Sequence, residues 1–145
     1  MSTKIAITKI KEDEFIFKNE DIKKFDARRL SIGFNLRFNW DYEKENFFVR
    51  LTVIYKYEIE NENIELVRFT STTGFFIKGL KDMLGVDENK TSFKLPDNLM
   101  LTCISTAVSS SRGMLAYKLA GTFLADYYLP LIDPKKFLSK PNNKS

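Results

Sequence analysis

The chain contains no histidine and only one cysteine, Cys103. Without histidine there is no Ser-His-Asp or Cys-His arrangement, and no zinc site of the usual ligand spacing. With one cysteine there is no disulfide within the chain. Cys103 falls on an apolar helical stripe with no base in view, so it reads as a small core residue rather than a nucleophile. A Gly-rich phosphate loop is also lacking, because Gly74, Gly79 and Gly85 are too scattered. Asp41, Glu43 and Glu45 cluster, but in a tight turn where water solvates them instead of poising them for acid–base work. The expectation is therefore no enzyme, no cofactor and no metal. No run approaches the roughly 20 apolar residues of a membrane span. The start of the chain, Met1 to Ile7, is too poor in apolar residues for a signal peptide, so the reading is cytoplasmic, without membrane insertion.

Positive charge is scarce where a nucleic-acid groove would need it. The formal net charge is +4, but Lys135, Lys136, Lys140 and Lys144 lie in the last eleven residues, which hold no acid. Removing those four from 23 leaves 19 basic residues against 19 acidic, a neutral body. Clustered positive charge is what phosphate binding requires. The lysines read as part of a solvated end, with residues 139–145 a flexible basic tail and residues 1–138 a single domain. What the chain has in excess is rings: 13 Phe, 6 Tyr and one Trp. So many large side chains are hard to cover completely, which points to a recognition surface.

The strongest pattern is the stretch from Pro96 to about Leu119. Met100, Cys103, Ile104, Ala107, Val108, Met114 and Leu115 recur at steps of three and four, one stripe of a helix. Pro96 suits its first turn and Asp97 the positive end of its dipole. Small residues flank the stripe: Ser105, Ser109, Ser110, Ser111 and Gly113. They allow another backbone to come close, so Ser105, Ser109 and Gly113 are candidates for a subunit interface. Upstream, Ile32, Phe34, Leu36, Phe38 and Trp40 alternate with polar residues, as do Phe47, Val49, Leu51, Val53, Tyr55, Tyr57 and Ile59. Period two marks strands with one buried face. Ile64 to Ile77 is a third strand, and short connections make the three an antiparallel meander. Two short extended pieces, around Ile5 and around Phe15 to Lys18, are split by the charged Lys11 to Glu14. Asn19 to Arg29 is a crossing loop. Leu80 to Leu84 hints at a short helix, stopped by Gly85. Gly121 to Tyr128 reads as extended, and Asp133 as the cap of a brief helix from Pro134 carrying Phe137 and Leu138. Strands followed by helices on one face make the chain α+β.

The order of these elements, with several short strings, resembles the SecB-type export chaperones and their SecB-like relatives. Phe15-Ile16-Phe17-Lys18 looks like the end of that family's first strand, and Val49-Arg50-Leu51-Thr52-Val53 is similar to its central strand. Gly74-Phe75-Phe76-Ile77-Lys78-Gly79 resembles its string before the loop. Pro96-Asp97-Asn98-Leu99 and Ser111-Arg112-Gly113 resemble the two ends of its long helix. The resemblance spans about residues 14–139 and implies a four-stranded antiparallel sheet with a long and a short helix on one face. It also implies a homo-oligomer, dimers paired into a tetramer, that holds unfolded polypeptides without ATP or cofactor. The outward strand residues Arg50, Lys56, Glu58 and Glu60 are mixed in charge, whereas the export chaperones present an acidic face to the translocase ATPase. A relative serving a specific client such as an antitoxin fits as well as an export chaperone.

Phe25 and Leu30 of the crossing loop, with Phe137 and Leu138 of the final helix and Phe15 and Phe17 of the first strand, are the candidate client-binding residues. The loop is too polar to be core yet keeps isolated large apolar side chains, and the final helix is too short to stand undocked. Two alternatives remain open. Phe34, Arg37, Phe38 and Trp40 are the residue types of a single-strand nucleic-acid-binding strand, although Arg37 falls on the opposite face from the rings. A sheet under a helix could also enclose a small apolar ligand.

Overall fold

A computed structural model of the protein describes residues 4–18, 22, 24–83 and 95–138. Four strands, β1 (Ile5–Phe17), β2 (Leu30–Asp41), β3 (Asn46–Ile59) and β4 (Glu62–Ile77), form one antiparallel sheet in the order β1-β4-β3-β2. A short helix, α1 (Leu80–Met83), leaves β4, and a long helix, α2 (Asp97–Leu119), packs on β3 and β4. A 3-10 turn at Pro134–Phe137 ends the described chain. The α+β architecture anticipated from the alternating runs is present, with both α-helices after the strands and one 3-10 turn, Ala27–Arg29, between β1 and β2.

The strand order follows from the connections. β2, β3 and β4 are joined by tight turns, and the second uses Glu60 and Asn61, both with positive φ (52° and 67°). Two consecutive left-handed residues match the right-handed twist of the flanking strands. β1 then takes the free side of β4, so the segment between β1 and β2 must cross about three strand spacings of about 4.8 Å each.

β1 is a single strand of 13 residues rather than two short pieces. The charged Lys11 to Glu14 does not interrupt it, because an edge strand with a solvated face tolerates charge. The pairing with β4 instead slips twice, between Ile7 and Lys9 and between Glu12 and Glu14, so Thr8 and Asp13 are extra residues.

Alternation in β3 is strict: Phe47, Val49, Leu51, Val53, Tyr55 and Tyr57 are buried against α2, with Val67, Phe69, Phe75 and Ile77 of β4 beside them. From α2 come Leu99, Met100, Cys103, Ile104, Ala107, Val108, Leu115 and Leu119. One polar pair sits inside this layer. Ser71 of β4 and Ser111 of α2 meet hydroxyl to hydroxyl at 2.6 Å, each satisfying the other. Pro96 stands just outside the helix, not in its first turn. Its backbone is extended (φ −54°, ψ 142°), and its carbonyl accepts from the N–H groups of Leu99 and Met100. After α2, Gly121 (φ 82°) takes the left-handed conformation that ends many helices. The following residues make successive turns, Thr122 on Leu119, Ala125 on Thr122 and Tyr127 on Leu124, and not the extended segment expected from the sequence. Asp133 does cap the final turn, accepting from the N–H of Lys135.

Candidate functional site

The six candidate client-binding residues, Phe15, Phe17, Phe25, Leu30, Phe137 and Leu138, are all half-buried against the core. The structure separates them: Phe17 and Phe25 both meet Phe123 at one end of the sheet, Phe15 lies edge-on against Phe69 of β4, and Leu30 lies on β2 with Phe137 beside that strand. At one end of the sheet, Phe25 of the crossing loop stacks on Tyr57 at 5.1 Å between ring centres, and meets Phe123 at 5.6 Å and Tyr127 at 5.3 Å. Phe17 reaches Phe123 at 5.9 Å. The loop is pinned there by the Tyr57 hydroxyl, which accepts from the backbone N–H of Asp26 at 2.9 Å. Asp26 in turn accepts from the backbone and the guanidinium of Arg28, which hold its carboxyl below the usual carboxylate range. Tyr57 is read from strand alternation, but Phe123 and Tyr127 lie in the segment misread as extended. No signal in the sequence placed them here.

The second place is β2. Leu30, Ile32, Leu36, Phe38 and Trp40 are half-buried on the helix side, and Phe34 among them is 38 % exposed. Their partners across the ladder, Val49 to Tyr57 on β3, are fully covered. β2 therefore carries an apolar row that the described residues cover only in part. Phe137 from the final turn reaches it, 6.2 Å from Phe34. The segment bringing Phe137 there is strapped to α2 by Arg112, whose guanidinium donates to the carbonyls of Leu129 (3.0 Å) and Pro130 (2.9 Å). Beside this strap Leu131 is 93 % exposed. Tyr55 adds a hydroxyl donated to the Tyr127 carbonyl, and burial pushes that hydroxyl up to about 12.

The candidate interface residues Ser105, Ser109 and Gly113 are exposed and follow one another at four-residue steps on the outer side of α2, continued by Tyr117 (83 % exposed). A Cβ on Gly113 would meet nothing within 4 Å inside the protomer. On β1, Ile7 and Ile10 also stand half in solvent. Lys118 closes the gap between α2 and β1, 2.7 Å from Glu12 and 5.2 Å from the centre of the Phe15 ring.

Among the described residues, no cluster of three or more Cys, Asp or Glu side chains could hold a metal ion. Cys103 is buried, and burial pushes its thiol from 9.0 up to about 12. A thiol held protonated is not a nucleophile. The turn carboxylates have structural tasks: Asp41 accepts from the N–H of Lys44, and Glu45 from that of Lys81. Phe34, Phe38 and Trp40 face the helix side while Arg37 lies on the other, as the alternation implied.

The overall fold is similar to that of a solved structure, the SecB-like chaperone Rv1957 of Mycobacterium tuberculosis in complex with a ChAD peptide from the Rv1956 HigA1 antitoxin. The superposition has a TM-score of 0.57 and covers 89 % of this chain and 91 % of that one, at 11 % sequence identity. The fold is SecB-like. No protein-family model and no curated protein sequence matches the chain. A protein of unknown function from Streptococcus agalactiae superposes at a TM-score of only 0.32, with 11 % identity over 92 % of this chain and all of that one. Among the described residues no helix is long and apolar enough to cross a membrane.

Proposed function

We propose that the protein is an ATP-independent holdase that binds extended apolar segments of unfolded polypeptides. The observation that carries this reading is the partly covered row on β2, Leu30 to Trp40, with Phe137 at its border. An edge strand with an apolar row can accept an extended chain by adding backbone hydrogen bonds and seating alternate side chains. In this reading Phe17 and Phe25 form the wall at the end of the row, and Phe15 supports the sheet from β1 against Phe69. The SecB-like fold supports it, since the neighbour of known structure holds a peptide. That this peptide comes from an antitoxin favours a specific client over general export, and the mixed charge of Arg50, Lys56 and Glu58 favours it too. The protein works in the cytoplasm without a cofactor. Two copies associate through the stripe Ser105, Ser109, Gly113 and Tyr117, and the dimer can pair again.

Trp40, the only tryptophan, lies on the proposed row and reports occupancy directly. An extended apolar peptide titrated into the protein should shift Trp40 emission and saturate. In parallel, a few-fold excess of protein should suppress aggregation of a denatured, unrelated polypeptide with no ATP added. A folded protein that gives neither signal overturns the holdase reading.

A further inference from the structure

The face of the sheet away from α2 carries a basic depression that client holding does not use. Two neighbouring ladder rows define it. In one, Arg37 of β2 lies directly opposite Arg50 of β3, followed by Thr72 of β4 and Lys11 of β1. In the next, Asn39 is followed by Phe48, Gly74 and Lys9. Arg37, Phe38, Asn39, Phe48, Arg50 and Thr72 line a cavity of about 390 Å³.

Placing like charges directly across a ladder is destabilising. Little inside the protein offsets it. Asp13 is 4.0 Å from Arg50 and 3.9 Å from Lys11, and also accepts from the Thr72 hydroxyl. Arg37 is exposed and has no carboxylate within 4.0 Å among the described residues. Four basic side chains thus share one acid over two rows, in a body whose charges otherwise balance. The adjoining rows do not extend the patch, since Arg68 is tied by both of its contacts to Glu65, at 2.9 and 2.8 Å, and Glu14 stands on β1.

We propose that this depression is a docking site for a carboxylate-rich segment of a partner protein. Paired guanidiniums present forks matched to carboxylates, and a bridging anion would remove the repulsion between Arg37 and Arg50. The amide of Asn39 and the hydroxyl of Thr72 add neutral donors at the rim. Arg37 to Lys11 spans three strand spacings, about 14 Å, the reach of about four extended residues. A nucleic acid fits less well. Phe48 is the ring available for stacking, but one face lies on Gly74, where an added Cβ would be 3.0 Å from the ring, and Lys9 stands 5.8 Å from its centre. The tail of the chain itself is no candidate, because residues 139–145 carry lysine and no acid. The site is separate from the β2 row, which faces the opposite side of the sheet, and does not depend on the holdase reading.

The test is fluorescence anisotropy with a labelled peptide carrying four consecutive glutamates between neutral flanks, at low and high salt. Saturable binding is expected at low salt, weakened at least tenfold in the Arg37→Gln, Arg50→Gln double variant and changed less than twofold in Arg68→Gln. The double variant relieves a repulsion, so it should melt at or above the wild-type temperature, which keeps the comparison interpretable. A tetra-lysine peptide should not bind. An acidic peptide that fails to bind, or that binds the double variant equally well, overturns the proposal. So does a single-stranded oligonucleotide of equal charge that binds more tightly through the same arginines.

Discussion

Phe25 decides whether the crossing loop anchors the fold or presents a ring to clients. Phe25→Ala removes three ring contacts, to Tyr57, Phe123 and Tyr127, all with centres within 5.6 Å. Truncating a fully buried Phe costs about 3–5 kcal/mol, and Phe25 is only half-buried, so about 2 kcal/mol is the expected loss. With an unfolding entropy of about 2.1 cal/mol/K per residue, that lowers the melting temperature of a chain this long by about 6–7 °C. The hydrogen bond from the Asp26 N–H to Tyr57 survives the substitution, so the loop should loosen without detaching. Melting by circular dichroism and suppression of aggregation should be measured on the same preparation. Suppression below the melting point should change little. A variant that melts within about 1 °C of wild type yet no longer suppresses aggregation would refute this account and put Phe25 at the client surface.

Phe34→Ser should show the converse, a stability loss below about 1 kcal/mol with weakened peptide titration of Trp40, because its ring is already 38 % exposed. Ser111→Ala strands the buried Ser71 hydroxyl and should cost about 1–3 kcal/mol, whereas removing both hydroxyls should be nearly neutral, a difference that urea melts of all four proteins would resolve. Gly113→Ala should stabilise the protomer by about 0.5–1 kcal/mol, since the site is helical and has space for a Cβ; Gly113→Leu should leave protomer folding intact and disrupt association, read by light scattering. The Cys103 thiol and Tyr55 hydroxyl are both raised to about 12 by burial. Above pH 9–10 the unfolded chain loses these protons while the folded one keeps them, so stability should be full below that range and fall as pH rises toward about 12, and Tyr55→Phe should flatten the fall.

Periodicity identified β2, β3, β4 and α2 because each buries one face against a common layer, and a one-sided environment writes itself into the residue order. Trp40, Phe34 and Arg37 were assigned to the correct faces for the same reason. The lower legibility of β1 has a physical cause as well. An edge strand with two bulges loses strict alternation, and its charges need no partner in the core. Phe123 and Tyr127 were illegible because a series of turns has no period, and only tertiary contact with Phe25 gives those rings a role.

The sequence by itself determined most of the side chains that belong inside, which pairs of strands are joined by tight turns, and that there is no histidine to take part in any chemistry. Those properties are local, set by spacing of two or of three to four and by residue type. Tertiary structure alone decided that β1 crosses to β4, that Phe17 and Phe25 join a pinned aromatic wall while Leu30 and Phe137 go to the half-open β2 row, and that Arg37 lies opposite Arg50 in the row beside Phe48 and Gly74. Each of these depends on register between segments far apart in the chain, and a shift of one residue would send every side chain of a strand to the other face.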